Sequence, residues 1–279
     1  MKPLINLGIW LLSGLFFLTG VSWAALPQLG QIKCGNYSLK AVSNHIPWGY
    51  RSAQKYWDSM QRIELEVGNT ERFKDLPKLG MKNPYTGYIV LGDQDQKFGF
   101  IVDIYGEEKR LYIDRDGDGS FAGESYSLLL NEWYGGYSWL SSHAYWVLGP
   151  EPVRLSVPYQ KAGGTVVQPI EISVLGYIFK PGFLGKEKPF LLVEVRTWFL
   201  AEIIEDGMGK LVGLVDQNHN GRYNDYQDLL FVDYNNNGFF ENNEAIRRKN
   251  GVKLKMGRKK VSFDWGAYPE QLQVEEEKR

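Results

Sequence analysis

Three hexapeptides, DRDGDG from Asp114, DQNHNG from Asp216 and DYNNNG from Asp233, place side-chain oxygens at alternate positions and then a glycine. Calcium loops need that arrangement, because a hard cation of this size takes about six to eight oxygen ligands and the chain must turn sharply around it. One such hexapeptide could arise by chance; three in one chain point to a shared purpose. Any fold for this chain therefore has to accommodate three tight oxygen-rich turns, in which clustered carboxylates repel one another unless a positive charge sits among them.

The spacing can be counted against the twelve-residue EF-hand loop, which takes ligands from positions 1, 3, 5, 7 through its carbonyl, 9 often through water, and a bidentate Glu at 12, with Gly at 6. From Asp233 the count gives Asp233, Asn235, Asn237, Gly238, the carbonyl of Phe239, Glu241 at nine and Glu244 at twelve, so every position is met. From Asp114 it gives Asp114, Asp116, Asp118, Gly119 and the carbonyl of Ser120; position twelve is Ser125, and the carboxylate Glu124 falls one place early. Arg115 lies between two of these aspartates and offers an alternative counter-charge. From Asp216 it gives Asp216, Asn218, Asn220, Gly221, the carbonyl of Arg222, Asn224 at nine, Gln227 at twelve and Asp228 at thirteen. Amide oxygens carry no formal charge, so this loop is expected to bind most weakly unless Asp225 or Asp228 swings in. A metal-free Asx-turn competes with it, because Asn and Asp bond their own backbone readily in tight turns.

Each loop is entered from a run such as LYI, GLV or LFV, which reads as strand and not as the leading helix of a helix-loop-helix pair. The chain thus resembles the bacterial secreted proteins with EF-hand-like or dockerin-like Asp-x-Asp-x-Asp-Gly calcium loops set on another scaffold. The resemblance covers about three dozen residues and implies calcium, not a shared fold or activity. Without flanking helices the opening motion of sensor EF-hands has no counterpart, and the ion is expected to act as a staple. The second and third loops are joined by the run DLLFV, so filling one is expected to order the other.

Runs such as GYIVLGD, FGFIVDIYG, EPVRLSV and LLVEVRTWFLAEII, divided by Gly, Asp and Asn, predict a mainly β protein of antiparallel sheets or a sandwich. One short helix is expected near Tyr50 to Val67, although IELEV at its end alternates like a strand. KFGFIVD (97–103) aligns on KLVGLVD (210–216), and RLYIDRDGDGSF matches DLLFVDYNNNGFF, which sets Asp103 against Asp216 and Asp114 against Asp233. The expectation is two related β modules, 25–135 and 136–279, carrying calcium loops between strands. Chance likeness among Gly- and Asp-rich hairpins is the competing explanation.

The first 24 residues have a positive start at Lys2, an apolar run from Leu4 to Val21, and small residues up to Ala24. This predicts a secretory signal cleaved after Ala24, with an uncleaved membrane anchor as the alternative. Either way the body is expected outside the cytosol, secreted or held in the cell envelope or periplasm. Net charge is −1, so no global field favours nucleic acid or an anionic membrane surface. The basic run KLKMGRKK is expected to be a hairpin with one wet face. Cys34 is the only cysteine, which excludes an internal disulfide, and a buried free thiol is expected.

No nucleophile elbow or phosphate-binding glycine loop is present, and His45, His143 and His219 stand at no zinc spacing. The aromatic cluster around Trp133, Tyr134, Tyr137, Trp139, Tyr145 and Trp146 reads as cross-strand packing, or alternatively as a stacking platform for sugars. The sequence therefore predicts a non-catalytic, calcium-stapled structural or interaction module with a protein or glycan partner outside the cytosol. A calcium-dependent carbohydrate-binding or carbohydrate-active protein is the alternative.

Overall fold

Short runs of β-branched and aromatic residues pack best on a pleated surface, and here they become strand after strand. The computed structural model describes residues 32–43, 60–105, 108–132, 141–148, 152–181, 188–247, 252–256 and 259–277. Among them it is mainly β, sandwich-like and antiparallel, with two single-turn 3-10 segments and no α-helix. The N-terminal segment 1–24, and Trp133, Tyr134, Tyr137 and Trp139 of the aromatic cluster, lie outside the described residues.

The largest sheet has ten strands. Strand β3 (Gln61–Glu64) pairs β12 (Lys188–Val195), which pairs the long β11 (Gly164–Pro181). From β11 the order runs through β9 (Ser141–Leu148), β8 (Tyr126–Glu132), β7 (Glu108–Ile113), β6 (Gln96–Tyr105) and β5 (Tyr85–Leu91) to β4 (Glu66–Val67), with β10 (Val153–Lys161) hairpinned onto β11. The two ends of this order, β3 and β4, are separated in sequence only by Leu65, yet the sheet does not close into a barrel. The helix expected near Tyr50 to Val67 gives way here: residues 50–59 are outside the described set, and the remainder is strand, as the alternation of IELEV favours. The pairing of β8 with β9 runs the sheet across the line between residues 135 and 136.

A five-stranded sheet contains β2 (Lys40–Val42), β13 (Trp198–Glu205), β14 (Met208–Val215), β15 (Leu229–Val232) and β16 (Ala245–Arg247). Its β13–β14 hairpin turns on Asp206 and Gly207, both at positive φ (46° and 81°), the geometry whose twist suits a two-residue connection. A four-stranded sheet joins β1 (Gly35–Ser38), β19 (Gln271–Glu276), β18 (Lys259–Asp264) and β17 (Val252–Met256). In it Leu254 pairs Val261 on the buried face while Lys253 and Lys260 stay exposed, the wet-faced hairpin expected of KLKMGRKK. Cys34, just ahead of β1, is exposed and not buried as expected, because it precedes the sheet.

One continuous core draws on all three sheets, with Leu111 and Leu191 from the first, Ile203 and Leu230 from the second, and Phe263 and Leu272 from the third. Much of the outer edge of β10 is occupied. Ser156 N–H donates to the carbonyl of Arg115 (2.8 Å), Gln160 N–H donates to the Asp93 carboxylate (3.0 Å), and Pro158 between them has no N–H to offer.

The two meanders β5–β6–β7 and β13–β14–β15 each lead into one of the expected loops, but their registers differ by one residue. Ile113 pairs Phe100 and Val232 pairs Val212, whereas the sequence alignment sets Phe100 against Gly213. Asp103 consequently lies inside β6 and fully buried, accepting the N–H groups of Gly80 and Met81 at 2.8 Å each, while Asp216 lies just past the end of β14. The sequence correspondence of Asp103 with Asp216 is thus corrected: the shared KxxxxVD pattern places one acid within a strand, where it caps a neighbouring turn, and the other just past a strand end, where it opens a loop.

Candidate metal centres

The three hexapeptides fold onto one backbone plan. The first residue of each, Asp114, Asp216 or Asp233, is buried (1–2% exposed) and accepts the N–H of the glycine five residues on: Gly119 (3.0 Å), Gly221 (2.7 Å) and Gly238 (2.9 Å). The oxygen at position 3 accepts the N–H of position 5, in Asp116–Asp118 (3.3 Å), Asn218–Asn220 (3.3 Å) and Asn235–Asn237 (3.0 Å). The oxygen at position 5 accepts the N–H of position 7, from Ser120 (2.7 Å), Arg222 (2.8 Å) and Phe239 (2.8 Å). Two residues of each hexapeptide adopt the left-handed conformation. Position 6 is always glycine there (φ 78°, 75° and 79°), and position 4 is Gly117, His219 or Asn236, types that tolerate it comparatively well.

Closure is also shared, though its spacing varies. Arg115 N–H donates to Glu124 (2.9 Å), Gln217 N–H to Asp228 (3.3 Å) and Tyr234 N–H to Glu244 (2.8 Å). A carboxylate at position 11, 13 or 12 thus holds the N–H of position 2 in every loop, and its own N–H bonds the carbonyl three residues back. In the third loop Glu241 and Glu244 form a reciprocal capping box around a single 3-10 turn. One extra or missing residue between position 6 and the closing acid is absorbed in this turn, so Glu124 and Asp228 reach the place that Glu244 takes.

Charge accumulates in all three. In the first loop Asp114, Asp116 and Asp118 each bring a carboxylate oxygen within 4.8 Å of the others, a group that can hold a metal ion. Burial pushes Asp114 up to about 6, against the pull of the Gly119 and Gly117 N–H groups. Arg115 turns to the closing acid, with Nε 3.6 Å from Glu124 Oε2. In the second loop Asp225 accepts the side-chain amides of Asn218 and Asn220 (2.9 Å each), and Asp225 N–H donates to Asp228 (2.8 Å). Asp225 and Asp228 thus join Asp216 at this loop, the two acids that the sequence offers beyond its amide ligands. Burial raises Asp216 to about 7, and burial followed by repulsion from Asp216 and Asp225 raises Asp228 to about 9. In the third loop Asn235 and Asn237 direct their amides at Glu241 (3.3 Å each), the counterpart of Asp225.

Position 8 was not singled out by ligand counting. It is Phe121, Tyr223 or Phe240, each buried (3%, 0% and 2% exposed). Phe121 packs edge-on to Phe73 over one face of the large sheet, and Phe240 packs on Trp198 and Phe231 over the outer face of the five-stranded sheet. Tyr223 enters the main core beside Phe199 and donates its hydroxyl to the carbonyl of Thr197 (2.8 Å). Burying an aromatic ring contributes a few kcal/mol, which anchors each loop just past its glycine. The signal was present in the sequence as an aromatic two residues beyond each glycine.

The second loop sits where the sheets meet. The carbonyl of Asn220 accepts Gly92 N–H (2.9 Å), Arg222 Nε donates to the carbonyl of Gly92 (2.8 Å), and Tyr159 donates its hydroxyl to the carbonyl of Gly221 (2.6 Å). Tyr223 N–H bonds the carbonyl of Ala267 (2.9 Å), and the Trp265 indole donates to the carbonyl of Tyr223. His219 points away from the loop oxygens, its Nδ1 accepting Val195 N–H (3.1 Å). The third loop leans on a buried ion pair instead: Lys210 Nζ lies 2.8 Å from Glu205 and donates to the carbonyl of Tyr234 (2.9 Å).

No protein-family model, curated protein or solved structure matches the chain, so these loops are read from their geometry alone.

Proposed function

We propose that this protein is a secreted or cell-envelope calcium-binding β module without catalytic activity, whose three loops each take one ion that staples neighbouring strands. The supporting observation is the thrice-repeated hydrogen-bond frame of a buried leading aspartate, alternating side-chain oxygens and a closing carboxylate, together with the carboxylate oxygens of Asp114, Asp116 and Asp118 lying within 4.8 Å of one another in the first loop. The donors are all oxygens, which suits a hard divalent cation and argues against zinc or copper. Proposed ligands are Asp114, Asp116, Asp118, the Ser120 carbonyl and Glu124; Asp216, Asn218, Asn220, the Arg222 carbonyl and Asp228; and Asp233, Asn235, Asn237, the Phe239 carbonyl and Glu244. Calcium is abundant outside the cytosol, where the N-terminal segment directs the chain, and the partner would be a protein or glycan there.

Thermal melting in excess calcium and in chelator tests the reading. Each site filled at about ten times its dissociation constant adds about 1.4 kcal/mol by linkage, about 4 kcal/mol for three. For a chain of this size that corresponds to a rise of about 8–16 °C. Identical midpoints in the two buffers would reject the staple.

A further inference from the structure

A cavity of about 330 Å³ opens between the β10–β11 turn and the segment leading into β19. Its size lies at the low end of ligand pockets, about 300–1,000 Å³. The part-buried Tyr268 lines it with aromatic surface, backed by the buried Tyr159 (1% exposed), their ring centroids 5.0 Å apart. Around them stand Gln160, Gln271, Lys161 and Glu270. Lys161 and Glu270 pair at 2.6 Å, so their charges cancel and the rim favours neither an anion nor a cation. The remaining chemistry is aromatic surface bordered by side-chain amides that donate and accept in fixed planes. A hydroxylated ring answers it, because each hydroxyl both donates and accepts while the C–H faces of the ring pack on tyrosine.

The cavity is also built by the second loop. Tyr159, on one wall, donates to the carbonyl of Gly221, and Ala267, on the other, accepts Tyr223 N–H. The walls are thus spaced by positions 6 and 8 of the loop that opens at Asp216. We infer that this cavity is a binding site for a neutral saccharide of one or two rings, and that the loop from Asp216 sets its shape. The dependence on calcium rests on the metal reading above; the site itself does not.

The test is a printed array of neutral oligosaccharides probed with the full chain in calcium and in chelator, alongside Tyr268→Ser and Gln271→Ala. Gln271 is exposed, so its truncation leaves the fold intact even if loss of the Tyr268 ring disturbs packing against Phe199. The expected result is binding in calcium, a drop of about tenfold or more in each variant, and weaker binding in chelator. No glycan bound while calcium still raises the melting midpoint would overturn the saccharide site and leave the metal reading standing. Equal binding by the wild-type chain and both variants would overturn it as well. Binding that chelator leaves unchanged, with calcium still raising the midpoint, would overturn the role of the loop in shaping the site. A midpoint indifferent to calcium, with glycan binding lost in the variants, would support the site and refute the metal reading instead.

Discussion

Replacing the glycine at position 6 by alanine separates two contributions that the loops otherwise combine. At Gly238 φ is 79° and an added Cβ meets nothing within 4 Å, so Gly238→Ala carries only the left-handed backbone penalty of an L residue, about 1–2 kcal/mol. At Gly221 φ is 75° as well, but the Cβ would lie 3.0 Å from Gly92 N and 3.2 Å from Leu91 Cβ, both in the turn that the loop grips. Relief of that contact pulls on the Gly92 N–H bond to Asn220 (2.9 Å) and the Arg222 bond to Gly92 (2.8 Å). At about 1 kcal/mol for each hydrogen bond, Gly221→Ala costs about 3–4 kcal/mol. Midpoints should fall by about 2–8 °C for Gly238→Ala and about 6–16 °C for Gly221→Ala, at about 2–4 °C per kcal/mol. Calorimetry in calcium and in chelator would measure both, and the gap between the variants should persist in chelator because the crowding belongs to the protein and not to the ion. Equal midpoints for the two variants would show that the second loop does not sit against the β5–β6 turn as described.

The remaining predictions concern charge. Folding without the ion raises Asp114 to about 6, Asp216 to about 7 and Asp228 to about 9, all above their ordinary range, so these groups favour the folded state most below about pH 4 and lose that contribution as pH climbs through those values. On the proposed calcium reading the ion takes the place of the protons, so the rise in midpoint on adding it should be larger at pH 8 than at pH 5, with Asp228→Asn shrinking the rise and raising the midpoint in chelator at pH 8; the same rise at both pH values would refute the competition. Lys210→Met leaves Glu205 buried beside the third loop without its cation and should destabilise by about 3–5 kcal/mol, a loss of less than about 1 kcal/mol in denaturant unfolding counting against the buried pair.

The loops and the strand class were legible because both are local. A hexapeptide of alternating Asp and Asn ending in Gly encodes its own turn, and LFV or LYI encodes the strand that precedes it. The closing acids were legible only in part: Glu244 falls where counting places it, whereas Glu124 and Asp228 reach the same N–H from one residue short and one residue long. The one-residue offset between the meanders was not legible, since strand register depends on which face each side chain must bury, not on identity along the chain. Nor was the setting of the second loop, whose contacts to Tyr159 and Gly92 span 62 and 130 residues. Cys34 misled because burial of a thiol is a tendency of cores, and this one lies ahead of the first strand.

The outer side of β10 carries a practical lesson. A free β edge is a template on which a second molecule can add a strand and begin a fibre. Here one amide is taken by Arg115, another by Asp93, and proline removes a third between them. Since Arg115 is the second residue of the first loop, the same small turn that gathers acidic oxygens also withholds this border from self-association.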